Sequence, residues 1–141
     1  MLWPNPDAGS DDISKAIRVF REQNQINFPI QFFKNIEPED YVVILNNATC
    51  AIGNSSSFIR EGSYLGTPAV LVGTRQQNRE HGKNVKFASY SSKEIIKCVK
   101  EQMNHGRYQS EHIFGEGKAG KMIADIIAQK NPSVQKSFYQ K

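Results

Sequence analysis

Cys50-Ala51-Ile52-Gly53-Asn54-Ser55-Ser56-Ser57 opens the stretch that decides the fold, and Leu65-Gly66-Thr67-Pro68-Ala69-Val70-Leu71-Val72 closes it. The first apolar run is too short for a helix and ends on a glycine, which predicts a brief buried strand. The serines then open a helix through Leu65. Gly66 suits the position just past a helix end, and Thr67-Pro68 blocks continuation. Ala69–Val72 is the clearest strand in the chain. No hairpin turn separates the two strands, so they are expected to lie parallel, joined by the helix as a crossover.

Working outward, the same alternation repeats. Downstream, a polar loop from Gly73 to Lys83 leads to a strand at Val85-Lys86-Phe87-Ala88. Ser91 and Glu94 stand at capping-box spacing before a helix carrying Ile95, Ile96, Val99 and Met103, with Gly106 as its stop. A last helix carries Met122, Ile123, Ile126 and Ile127, and the tail from Asn131 reads as loosely held. Upstream, Met1–Asn5 reads as the end of a strand whose beginning is absent. Ile13, Ile17 and Phe20 recur at helical spacing over about Asp12–Glu22. Pro29–Phe33 predicts a strand, and Pro38 suits the first turn of a helix bearing Tyr41, Val42, Ile44 and Leu45. The reading is an α/β chain: a Rossmann-like parallel sheet with helices on both faces. Such sheets bind ligands outside the carboxyl ends of their strands.

Composition narrows the function classes. A chain of 141 residues fits one domain, and 38% hydrophobic against 23% charged residues is an ordinary soluble mixture. No apolar run reaches the roughly 20 residues of a membrane helix, and no segment reads as a signal peptide. The net charge is +4, but the lysines are scattered without aromatic interleaving, so a solvated surface outweighs a nucleic-acid footprint. Cys50 and Cys98 lack metal spacing and fit free thiols better than a disulfide, which suits a cytoplasmic protein. His81, His105 and His112 show neither metal spacing nor a nucleophile partner. No carboxylate pair or Ser-His-Asp set is present.

Four constellations carry the remaining chemistry, three of them strand-end loops. Gly53–Ser57 places a close backbone turn and three hydroxyls at a helix start, where an anion is welcome; the serines serve equally well as plain helix caps. Glu61 follows Ser57 by four residues, where its carboxylate can accept from two ribose hydroxyls, or simply face solvent beside Arg60. Gly73-Thr74-Arg75-Gln76-Gln77-Asn78-Arg79-Glu80 brings two guanidiniums to a strand end, suited to a diphosphate or to an ordinary polar loop. Pro4–Ser10 is a turn that can present Asn5.

Taken together, Gly53-Asn54-Ser55-Ser56-Ser57, Arg60-Glu61, Leu65-Gly66-Thr67-Pro68, Gly73-Thr74-Arg75-Gln76, Arg79-Glu80 and Asn84-Val85, with Trp3-Pro4-Asn5 and Asp7–Ser10, resemble the UDP-N-acetylglucosamine 2-epimerase family. The similarity spans nearly the whole chain. The Gly-Thr-Arg-Gln form looks like the hydrolysing branch, which releases UDP and a free 2-epimeric acetamido sugar and serves amino-sugar and sialic acid synthesis. The other branch interconverts the two UDP-sugars.

The resemblance implies the C-terminal half of a two-domain, B-type glycosyltransferase-like fold. Residues 2–130 would be its nucleotide-binding domain, residues 131–141 a tail, and the N-terminal domain would be absent from this chain. It implies UDP elimination across C1–C2 to a glycal, then addition of water. Ser55 and Ser56 would hold the diphosphate, Glu61 the ribose, Arg75 the diphosphate again. Asn5 would line the nucleotide site and the backbone at Ile36 would meet uracil. The expected partners are UDP and a UDP-amino sugar, with no cofactor, metal, nucleic acid or membrane, and a homo-oligomer at full length. The family's acid-base carboxylates and phosphate-contacting histidine lie upstream of Trp3, so no catalytic residue is expected here. Phe58 stands where the hydrolysing branch often carries glycine. The alternatives are the C-terminal half of a B-type glycosyltransferase and a stand-alone nucleotide-binding module.

Overall fold

The computed structural model describes residues 1–4, 9–23 and 28–130, so the expected tail from Asn131 lies outside the described residues. The chain divides into two compact units, Met1–Ile44 and Leu45–Lys141.

In the first unit, α1 spans Ser10–Gln23 and buries Ile17, starting two residues before the expected Asp12. Asp11 and Asp12 sit in its first turn and Arg21 in its last, the charge order that a helix dipole favours. The Arg21 guanidinium lies 4.9 Å from the Phe32 ring centroid. The two strands expected before and after this helix reduce to one parallel bridge, Leu2 with Phe33. Trp3 N–H donates to the Phe33 carbonyl at 2.8 Å and Phe33 N–H to the Met1 carbonyl at 3.0 Å. A bridge flanking a helix keeps the strand–helix–strand order, but each run is too short for a ladder. Helix α2, Pro38–Asn47, begins on its proline as expected.

The second unit holds the sheet. Strands β1 (Ala51–Gly53), β2 (Ala69–Val72) and β3 (Val85–Ala88) are all parallel, in the order β1-β2-β3. The register pairs Ala51 with Ala69 and Ala69 with Val85. As the middle strand, β2 is the most enclosed: Ala69, Val70 and Leu71 are at most 1% exposed. Helix α4 (Ser92–His105) supplies Cys98, Ile95 and Val99 against Val70, Ala88, Cys50 and Val72. Cys98 is buried and Cys50 half-buried; both are free thiols.

The first crossover differs from expectation: the helix after β1 breaks into a 3-10 turn, Ser56–Phe58, and a six-residue α3, Arg60–Leu65. Between β2 and β3 the chain forms loop and turns without a helix, as expected of the polar stretch from Gly73 to Lys83. Polar groups therefore carry part of the packing that helix contacts would otherwise supply. Gln102 is fully buried, and its amide donates to the Ala69 and Asn84 carbonyls at 2.7 Å each while accepting from Tyr108 Oη at 2.6 Å. An amide enclosed this way is tolerable only when its partners are supplied. Asn84, also buried, donates to the Phe58 carbonyl at 3.1 Å and the Thr67 carbonyl at 2.8 Å, tying β3's start to both ends of the α3 segment.

Gly66 ends α3 in the left-handed region at φ 68°, as the sequence requires. A Cβ there would stand 2.1 Å from the Tyr108 carbonyl oxygen, so glycine is needed for space as well as for backbone. The capping box at α4 changes partner. Ser91 makes no side-chain cap bond, and Glu94 instead accepts from Ser89 N–H at 3.1 Å and from the Ser89 hydroxyl. The last helix, α5 (Ala119–Gln129), carries Met122, Ile123, Ile126 and Ile127 at least half exposed.

Candidate functional site

Parallel strands send their carboxyl ends to one edge, so β1 and β2 deliver their following loops side by side. The β1 loop starts at Gly53, whose φ of 151° leaves a hypothetical Cβ only 3.3 Å from the Phe58 ring. Phe58 therefore folds back over Gly53. The bare backbone opposite accommodates the ring.

Ser55 is extended, with φ −72° and ψ 139°, and caps the 3-10 turn: its Oγ accepts from Ser57 N–H at 3.3 Å. The same Oγ lies 2.8 Å from Ser57 Oγ. The plain capping role of the serines is thus real for Ser55. Because α3 has only six residues, a helix dipole contributes little here, and hydroxyls and guanidiniums must supply the attraction for an anion. Ile59 keeps helical dihedrals, φ −80° and ψ −53°, and joins the turn to α3.

The β2 loop reaches across to the β1 loop. Arg75 Nη1 donates to the Asn54 carbonyl oxygen at 3.3 Å, and the Gln76 amide donates to that oxygen at 2.8 Å. Gln76 is 2% exposed, and its Oε1 finds no hydrogen-bond partner among the described residues. The structure thus brings Arg75 to the backbone immediately before Ser55 and Ser56. Sequence reading picked Arg75 but passed over its neighbour; the signal for Gln76 was its place directly after Arg75 in a strand-end loop.

Ser56 opens onto a depression of about 260 Å³ lined also by Ile59, Arg60, Arg79, Glu80 and Phe114. Arg60, Arg79 and Phe114 were not singled out as site residues. Arg79 is legible as the second guanidinium of the polar loop, whereas Phe114 comes from a distant segment without any motif. Glu61 is exposed in the first turn of α3, and its carboxylate makes no hydrogen bond or ion pair with other described residues.

The other two expected contacts fall elsewhere. Ile36 is half-buried in the first unit, before α2, where it lines a shallow depression with Phe33, Asn35, Glu37, Asp40, Val43 and Ile44. Asn5 lies outside the described residues. At the third strand end, Ser89 is engaged with Glu94, and those hydrogen bonds hold the Glu94 carboxyl below the usual carboxylate range. Among the described residues, no three His, Cys, Asp or Glu side chains group as metal ligands would, and no helix is long and apolar enough to cross a membrane.

Comparison with known proteins adds an independent line. The sequence model of the family described as UDP-N-acetylglucosamine 2-epimerase matches residues 1–128. A UDP-N-acetylglucosamine 2-epimerase of Neisseria meningitidis serogroup B is 31% identical over 97% of this chain and 37% of its own length. A UDP-N,N'-diacetylbacillosamine 2-epimerase (hydrolyzing) of Legionella pneumophila is 29% identical over 89% of this chain and 32% of its own length. A polysialic acid biosynthesis protein of Escherichia coli is 27% identical over 98% of this chain and 36% of its own length. The chain therefore spans about a third of the length of these curated relatives.

Proposed function

Since the chain belongs to the UDP-N-acetylglucosamine 2-epimerase family, we propose that it is the C-terminal, UDP-binding domain of such an epimerase and that the longer protein is of the hydrolysing kind. The observation that carries this reading is the clasp of Arg75 and Gln76 on the Asn54 carbonyl, which gathers a guanidinium and the Ser55–Ser57 hydroxyls at neighbouring strand ends. A diphosphate fits that chemistry, because paired N–H groups of a guanidinium match phosphate oxygens. The exposed Glu61 carboxylate, without a side-chain partner among the described residues, is then available to accept from ribose hydroxyls.

In this reading the domain works on the leaving group. Loss of the C2 proton and cleavage of the bond from C1 to the phosphate oxygen leave the electron pair on UDP. Donors arranged beforehand around that diphosphate stabilise the developing charge. Water then adds a hydroxyl at C1 and a proton at C2 of the glycal, giving the 2-epimeric free sugar. The proton transfers fall to residues outside this chain, so the 141 residues alone should bind UDP without turning substrate over. The hydrolysing assignment is supported by the Gly73-Thr74-Arg75-Gln76 form and by the word in the Legionella relative's name.

The test is to incubate the full-length gene product with UDP-N-acetylglucosamine. Free N-acetylmannosamine with UDP is the expected yield. UDP-N-acetylmannosamine instead would place the protein in the interconverting branch, and no change in the sugar at C2 would remove the epimerase reading.

A further inference from the structure

The depression at Ser56 has more positive charge than the proposed contacts use. Two arginines, Arg60 and Arg79, line it beside one acidic residue, Glu80, with Ile59 and Phe114 as its apolar part. Neither guanidinium makes a hydrogen bond or ion pair with another described residue, and Glu80 pairs with neither. Arg75 reaches the same serine loop from its Asn54 end. The loop is therefore served by guanidiniums at both ends.

The backbone is shaped for this. Asn78 is the one non-glycine residue with positive φ among those described, at 65°. Asparagine tolerates that region better than most residues, but it remains an uncommon conformation. It turns the chain immediately before Arg79 and Glu80, the two residues of this loop that line the depression.

We propose that Arg79, assisted by Arg60, is a second phosphate-binding arm that takes the terminal phosphate of a nucleoside diphosphate as it leaves. This inference rests on the reading of the chain as a UDP-binding domain. In an intact sugar nucleotide the β-phosphate is esterified to C1. When that bond breaks and its electron pair stays on the phosphate oxygen, the β-phosphate gains one negative charge. A guanidinium held at that phosphate therefore binds the departing UDP more tightly than the substrate, which is the differential binding that speeds departure. Glu80 in the same depression confines the phosphate to the arginine side.

The experiment is calorimetric titration of the 141-residue chain and its Arg79→Gln, Arg79→Lys and Arg60→Gln variants with UDP, UMP and inorganic diphosphate. Circular dichroism confirms that each exposed-site variant is folded. For Arg79→Gln, UDP affinity is expected to fall roughly tenfold or more while UMP affinity stays within about a factor of two. Arg79→Lys should recover part of the loss, and Arg60→Gln should show the same selectivity to a smaller degree. An equal loss for UDP and UMP, or no loss for UDP, overturns the role given to Arg79. Wild-type failure to prefer UDP over inorganic diphosphate overturns the uridine reading instead, and the Arg79 effect is then read on inorganic diphosphate. Binding of neither ligand by the wild type overturns both.

Discussion

The Arg75 guanidinium donates to the carbonyl oxygen of Asn54 over 3.3 Å, joining the loops that follow two neighbouring parallel strands. The Gln76 amide shares that acceptor from a buried position. One carbonyl thus fixes both the position of the serine loop and the reach of the arginine. Several consequences can be measured.

Gln76→Ala removes the shorter of the two bonds and leaves the Asn54 carbonyl with a longer, more exposed donor. A loss of about 1–2 kcal/mol in unfolding free energy is expected, the usual range for an abandoned hydrogen bond. UDP affinity should fall as well, although Gln76 is not assigned a ligand contact. Urea unfolding and a UDP titration read the two effects separately; wild-type values in both would show that the clasp organises nothing.

Gln102→Leu removes the bonds to the Ala69 and Asn84 carbonyls and the acceptor of the Tyr108 hydroxyl in one substitution. The expected destabilisation is about 2–4 kcal/mol, because several polar groups would lose partners away from water. Tyr108→Phe removes a single bond and should lower stability by about 1 kcal/mol. Equal effects in the two variants would contradict the central place given to Gln102.

Gly66→Ala adds a methyl group 2.1 Å from the Tyr108 carbonyl oxygen, a backbone atom that no side-chain rotation can move aside. The left-handed backbone at φ 68° adds a penalty of about 1 kcal/mol. A total loss above about 2 kcal/mol is expected, measurable by thermal unfolding. A fully stable variant would mean that the Tyr108 segment is not held against α3.

Much of this arrangement is legible in the sequence, but unevenly. Gly66 followed by Thr67-Pro68, Pro38 and Gly106 marked helix ends because glycine and proline restrict the backbone wherever they occur. Ala69–Val72 was clear because a strand covered on both sides is apolar throughout. The break in the helix after β1 was not legible, since serine suits a cap, a 3-10 turn and a helix start alike. Pro29–Phe33 had strand composition but formed only the bridge at Phe33, because pairing depends on a partner the local sequence does not reveal. Asn84 and Gln102 look like surface residues in sequence; only tertiary contact shows that they bridge loop and strand carbonyls. At the site, Ser56 and Arg75 carried strand-end signals, whereas Phe114 lies in a segment with no periodicity to announce it.

Two carboxylates should make stability pH-dependent. Ser89's hydroxyl and N–H hold the Glu94 carboxyl below its ordinary range, and the hydrogen bond from Lys86 does the same for Glu101. A depressed folded-state value means that the stabilisation is complete above the unfolded value, about 4.3 for glutamate, and is lost as pH falls through the folded values. Lys86 is raised chiefly by its bond to Glu101, so its share persists below the ordinary lysine range and disappears as pH rises through the raised value. Glu94→Gln and Glu101→Gln should each flatten the acid side of a stability–pH curve. An acid limb of wild-type slope in the double variant would rule these two groups out as its cause.

Ser55, Ser56, Glu61 and Arg75 are proposed to hold UDP at the strand ends of this chain. The most direct measurement is calorimetric titration of the wild-type chain and of Glu61→Ala and Arg75→Ala with UDP and inorganic diphosphate. A wild-type preference for UDP is expected, with a loss of about 1–3 kcal/mol in UDP binding in each variant, the range for a charged hydrogen bond. With inorganic diphosphate, only Arg75→Ala should weaken binding. Unchanged UDP affinity in both variants, or equal wild-type affinity for UDP and diphosphate, would contradict the proposed UDP contacts.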